Sequence, residues 1–288
     1  EANNRGIEMN LEWRDKTESG FEYNVGVNMS TIRNRMTKLN GGTPISDGPF
    51  RNGSMYLTYT NEGMPIGAFW GYKTDGLIQT QEQLNAVKRA DFQPNAELGD
   101  VLFVDTNGDG KLDSSDRCMI GNPIPDIIYG INMGMAWKGF DLNLQFGGTI
   151  GNQIFNAMRY YTYFPNDITN KDRALMNYWT PNNTNTDIPR LTATDVNDND
   201  RFSDMYVENG TYFRLRNAQL GYTLPASLTQ RIKLQKVRFY VSGQNLFTIS
   251  SYSGMDPEVG QSSSLSRGID YGIYPQNISF TGGINVTF

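Results

Sequence analysis

The feature that most constrains this chain is period-two alternation of apolar and polar residues in several separated stretches. A β-strand points successive side chains to opposite faces, so each such stretch presents one apolar and one polar face. Near the N-terminus Ile7, Met9, Leu11 and Trp13 alternate with Glu8, Asn10 and Glu12. After the polar turn DKTES, Phe21, Tyr23, Val25, Val27 and Met29 alternate with Glu22, Asn24, Gly26 and Asn28, which predicts a hairpin. In a second hairpin Tyr129, Ile131, Met133, Met135 and Trp137 lead to a tight turn at Lys138-Gly139, and Phe140, Leu142, Leu144 and Phe146 return. A third pair places Ala218, Leu220, Tyr222 and Leu224 before a connection through Pro225, then Val237, Phe239 and Val241. A seventh strand closes the chain, with Ile278, Phe280, Ile284, Val286 and Phe288 on one face.

An all-β antiparallel fold follows, but alternation does not say what covers the apolar face: a second sheet in a sandwich, or lipid in a membrane barrel. The connections separate the two. Those at about residues 15–19, 138–139 and 225–234 are short, and those at about 31–126, 150–210 and 250–276 are long, in strict alternation. Outer-membrane barrels show this asymmetry, with short periplasmic turns and long extracellular loops, so the apolar positions are expected to face lipid in a band roughly 25 Å tall. Trp13, Phe21, Trp137 and Phe140 flank the short turns as an interfacial aromatic girdle would. Phe280, Ile284, Val286 and the terminal Phe288 resemble the C-terminal signal by which the barrel-assembly machinery recognises its clients.

Composition narrows the function. The 288 residues contain no histidine and one cysteine, Cys118, which leaves no Ser-His-Asp, Cys-His or zinc-histidine arrangement and no internal disulfide, so an enzyme is not expected. A net charge of -5 with no basic block argues against nucleic acid as a partner. No run approaches the ~20 apolar residues of a membrane-spanning helix. The chain opens at Glu1, inside a strand pattern and without a start methionine or signal peptide, and is read as a piece of a longer protein.

The segment DTNGDGKLDSSD places oxygen donors at calcium-loop spacing: Asp105, Asn107, Asp109, the Lys111 carbonyl, Asp113 and Asp116, with Gly110 at the sharp sixth position. Asp116 stands where an EF-hand has a glutamate, as in dockerin-type loops, and no helices flank it. A structural calcium ion is expected; the other reading is an Asx-rich turn held by its own side-chain-to-backbone bonds. The segment RYYTYFPND, with Tyr160, Tyr161 and Tyr163, and the pair Tyr178-Trp179 offer aromatic faces for sugar stacking, or equally anchors for loop packing.

Several stretches, in order, carry a resemblance across nearly the whole chain: PIGAFWGYKTDGLIQT, GDVLFVDTNGDGKLDSSDRCMIGNP, YGINMGMAWKGFDLNLQFGGTIGNQIFN, YWTPNNTNTDIPR, FRLRNAQLGYTLP, VRFYVSGQNLFTISSYSGMDPEV and GINVTF. Together they resemble the C-terminal region of the SusC/RagA family, TonB-dependent outer-membrane transporters of Bacteroidota. The resemblance implies a 22-stranded barrel closed by a plug, of which residues 1–288 are the C-terminal portion and the seven strands are the last seven. The first of these is then strand 16, which runs toward the periplasm and puts DKTES on that side. Implied with it are active import of glycan oligosaccharides or peptides, a SusD-like surface lipoprotein as lid, TonB acting through an N-terminal part outside this sequence, and no catalytic residue. Two other classes stay open: a passive porin, and a secreted calcium-binding β-sandwich for adhesion or glycan binding.

Overall fold

A computed structural model gives the structure of residues 1–164, 170–260 and 263–288. Seven long strands form one sheet: β1 (Glu8–Lys16), β2 (Glu22–Thr31), β3 (Ile127–Trp137), β4 (Phe140–Ile150), β5 (Tyr212–Thr223), β6 (Lys236–Ser250) and β7 (Ser279–Thr287). Each pairs antiparallel with its chain neighbours and none crosses over, so the sheet is a simple meander whose outer edges are β1 and β7. The short connections are built as their residues dictate. Lys138 and Gly139, at φ 48° and 88°, make the two-residue hairpin whose positive dihedrals match strand twist. Between β1 and β2 the amide of Gly20 donates to the Thr17 carbonyl at 2.9 Å. Between β5 and β6 a short helix, Ala226–Thr229, fills the turn.

The strands run further than the alternation predicts, β5 from Tyr212 and β6 to Ser250. The reason is a pair of bulges. Opposite Gln145 and Phe146 the register shifts at Arg216, and β6 answers by pairing Gln244 with Asn217 and then Phe247 with Leu215, with Asn245 in the left-handed region at φ 52°. Each inserted residue switches the face on which later side chains emerge, so the ladder continues where the sequence period stops.

Across the ladder, apolar residues meet apolar residues. One row runs Trp13, Val25, Met133, Leu144 and Ala218; the next runs Tyr23, Met135, Leu142, Leu220 and Val241; a third runs Trp137, Phe140, Tyr222, Phe239 and Ile284. This face is bare. Leu11, Trp13, Phe140, Leu220, Val241, Ile249 and Ile284 are all exposed, where a sandwich would cover them with a second sheet. The other face carries Asn24, Gly134, Asn143, Gln219, Ser242 and Thr281 in one row, and Asn132, Gln145, Asn217 and Gln244 in another.

The packed core lies in the long connections. Of the buried apolar side chains among the described residues, the seven strands supply only Tyr212, Leu215 and Val237. The first connection folds a four-stranded sheet (Ile45–Phe50, Met55–Thr60, Ala68–Gly71, Cys118–Gly121), and a three-stranded sheet joins Gln153–Asn156 and Val207–Asn209 of the second connection to Ile269–Asp270 of the third. Phe50, Leu57 and Phe69 from the first, Phe155, Tyr160, Phe202 and Tyr206 from the second and Ile269 from the third make one cluster. A second cluster gathers Leu77, Phe92, Val101, Phe103 and Trp179. The three long connections are therefore one folded cap over one end of the sheet, with its own hydrophobic core.

Candidate functional site

The polar face of the sheet is organised by arginines at its two ends. Near the short turns the Arg238 guanidinium crosses above Gly221, where a Cβ would sit 2.3 Å from its nitrogen, and donates through Nε to Asp141 Oδ1 at 2.9 Å and through Nη2 to Gln219 Oε1 at 3.0 Å. A side chain at 221 would displace the guanidinium from that place. Lys16 Nζ lies 2.8 Å from Glu22 Oε1 in the same polar zone.

Near the cap Arg214, at the start of β5, is 2% exposed. Its Nη1 donates to Glu258 Oε2 at 2.9 Å, its Nη2 to Asp256 Oδ1 at 2.5 Å and its Nε to Thr248 Oγ1 at 2.8 Å. Arg216, at the bulge, holds the other oxygen of Glu258 at 3.1 Å. Burial works against the charge of Asp256, but the amides of Gln276 and Glu258 and the Arg214 guanidinium outweigh it and hold the carboxyl below the ordinary carboxylate range. This network ties the third long connection to the polar face of β5. Sequence reading did not single it out; the available signal was FRLRN, two arginines two residues apart within an otherwise amphipathic strand. Tyr252 closes the same connection, donating to Asp270 Oδ2 at 2.6 Å, with both residues buried.

Residues 105–116 form an ordered loop in which the acidic side chains turn to backbone amides. Asp105 accepts from Gly108 at 2.6 Å and from Gly110 at 2.9 Å; Asn107 accepts from the Asp109 amide, Asp109 from Lys111 and Asp113 from Ser115. Asp116, fully buried, accepts from Thr106 and Asp113 at 3.0 Å each. Among the described residues no three acidic, histidine or cysteine side chains gather as a metal would need. These are the bonds of an Asx-rich turn held by its own side chains.

The amide bonds, that of Gly110 first, hold the Asp105 carboxyl below the usual range. A depressed folded-state value means that Asp105 supports the loop at and above ordinary carboxylate pH, and that this support is lost as pH falls through the depressed value. Acidification is thus expected to deprotect the Gly108 and Gly110 amides to hydrogen exchange. Asp105→Ala should do so at neutral pH, and equal protection in both proteins would refute this account.

The aromatic candidates divide. Tyr160 is 1% exposed, meets Phe50 edge-to-face with ring centroids 5.0 Å apart and donates its hydroxyl to the Asp200 carbonyl at 2.9 Å. Trp179 packs under Gly99 and donates to Gln79 Oε1 at 2.8 Å. Both are buried in the cap core, in the place of loop-packing anchors, the second of the two readings that the sequence allows. Tyr161 packs against the same core, Tyr163 lies under the Arg159 guanidinium at 5.1 Å, and Tyr178 is half-buried. The end of that segment, Pro165, Asn166 and Asp167, lies outside the described residues. Phe280, Ile284 and Val286 project from the bare face of β7, and Phe288 follows the strand, also exposed.

No protein-family model matches the chain. Curated proteins do: TonB-dependent receptor P3 of Formosa agariphila is 36% identical across all of the chain, and TonB-dependent receptor SusC of Bacteroides thetaiotaomicron is 27% identical over 99% of it. The chain spans only 29% and 26% of their respective lengths, and the match falls in their C-terminal part. Among solved structures the RagAB peptide transporter superposes on the whole chain with a TM-score of 0.75 at 23% identity, covering 29% of that larger chain, so the likeness there is one of fold.

Proposed function

Because the chain belongs to the TonB-dependent receptors of the SusC/RagA type, as their C-terminal part, we propose that its seven strands are a section of barrel wall in the outer membrane of a nutrient importer. The observation that carries this reading is the inverted distribution of apolar side chains: bare on the sheet, packed in the cap. Ten residue steps separate Ile127 from Trp137. At ~3.3 Å per residue and a tilt near 40° the apolar face of β3 spans about 25 Å, the thickness of the outer-membrane apolar band. The strands are the last seven of 22, the cap lies outside the cell, and the polar face lines the lumen, where the Arg214 and Arg238 networks satisfy charges that lipid would not. A SusD-like lipoprotein delivers a glycan oligosaccharide or a peptide onto the cap, and TonB opens the plug supplied by the rest of the protein. Tyr161, Tyr163 and Tyr178 are the aromatic candidates still able to meet such a substrate at the cap.

The reading is tested with the whole protein in its own cells. Uptake of labelled oligosaccharides or peptides is expected to be abolished when TonB is removed or the inner-membrane proton gradient is collapsed. Uptake that persists would place the protein with passive porins instead. Calcium binding by residues 105–116 is a proposal of spacing alone, and titration of the whole protein with calcium decides it: protection of the loop amides already complete without the ion would assign the motif to a turn.

A further inference from the structure

The β1–β2 hairpin keeps its register beyond both strand ends. Glu8 pairs with Ser30, and past a short break the strands Ala2–Arg5 and Arg33–Met36 continue with Arg5 opposite Arg33 and Asn3 opposite Arg35, no residue being gained or lost on either side. Alternation therefore places Arg5 on the face of Ile7, Met9 and Leu11, and Arg33 and Arg35 on the face of Val27 and Met29. On the opposite face half-buried Asn34 meets the cap, accepting from the Ile66 amide at 2.8 Å, and donates to the exposed Asn4 at 2.6 Å. Arg5, Arg33 and Arg35 are all exposed, and among the described residues none of the three side chains makes a hydrogen bond or ion pair.

Two like charges directly opposite on neighbouring strands repel across roughly 5 Å, and a third lies one step along the same face. An arrangement of this kind becomes favourable when an anion bridges it. The location says which anion. Arg5 stands two residues before Ile7, the apolar residue that leads into β1, and so ~7 Å beyond it along the hairpin, which is the depth of the polar layer bordering the hydrocarbon. Guanidinium forks bind phosphate in bidentate fashion and tolerate partial dehydration better than ammonium.

We propose that Arg5, Arg33 and Arg35 form a site for the phosphate groups of a lipid headgroup in the leaflet on the cap side of the membrane. The inference rests on the reading of the strands as barrel wall, and its test keeps the two apart. Full-length protein is purified in neutral detergent and exposed to micelles doped with phosphorylated lipid A or with its dephosphorylated form, and the lipid retained is read by native mass spectrometry. Wild type is expected to retain the phosphorylated lipid, and the combined Arg5→Gln, Arg33→Gln, Arg35→Gln protein to hold it on the order of a hundredfold more weakly, about fivefold per arginine. Replacement of all three by lysine is expected to restore part of the binding. Heat-modifiable migration of the same samples reports the barrel independently, and its absence in wild type would remove the wall reading itself. With migration intact, equal retention by wild type and the glutamine variant, equal retention of the dephosphorylated lipid, or displacement by inorganic phosphate alone would overturn the site.

Discussion

Leu144→Arg, introduced into the whole protein, is expected to abolish or severely reduce assembly of the barrel, whereas Asn143→Arg in the adjacent position is expected to be tolerated. Leu144 sits near mid-height of the bare face, between Met133 and Ala218 on the flanking strands. On the proposed wall reading an arginine there meets hydrocarbon and costs about 2–4 kcal/mol at the bilayer midplane, a cost that fades toward the interfaces. Asn143 points the other way, between Gly134 and Gln219, where a charge stays in water. Heat-modifiable migration and the yield of protein in the outer membrane measure both. Equal tolerance of the two substitutions would mean that the apolar face does not contact lipid, and the assignment of these strands as membrane wall would fall with it.

Phe155→Ala is expected to unfold the cap while leaving the wall in place. Phe155 has no exposed surface and meets Phe50 and Phe202 edge-to-face with centroids 5.3 and 4.9 Å away. Phe50 belongs to the first long connection, Phe155 and Phe202 to the second, and Ile269 of the third lies in the same cluster. Removing a buried phenyl group costs about 3–5 kcal/mol, a large share of what a core of this size supplies. The ladder from β1 to β7 does not depend on that core, because its hydrogen bonds and bare face are independent of it. Limited proteolysis should thus cut the variant within the long connections and spare the strands, with heat-modifiable migration unchanged. Loss of both together would show that cap and wall form one cooperative unit.

The two predictions divide the molecule as its sequence does. The seven strands, the apolar and polar faces and the alternation of short and long connections were legible in the order of residues. Strand geometry is local: each side chain's face follows from its neighbour's, and Lys138-Gly139 carries its own turn. The period breaks at Arg216 and Asn245, where residues are inserted while the ladder continues, because pairing belongs to two strands and the period to one.

What only the tertiary structure decided are contacts between residues far apart in the chain. No local pattern distinguishes a tyrosine awaiting a sugar from Tyr160, pinned by Phe50 and by the Asp200 carbonyl, and none reveals that Arg214 is buried by Asp256 and Glu258. The acidic loop shows the same division. Its spacing follows from the sequence, but which amides the aspartate oxygens take depends on the backbone of residues 105–116, and there Asp105 takes Gly108 and Gly110. Periodicity determined which way each strand side chain of this protein points, since that is set within a few residues. The partner waiting there was decided by packing between the connections, which is set by the whole chain.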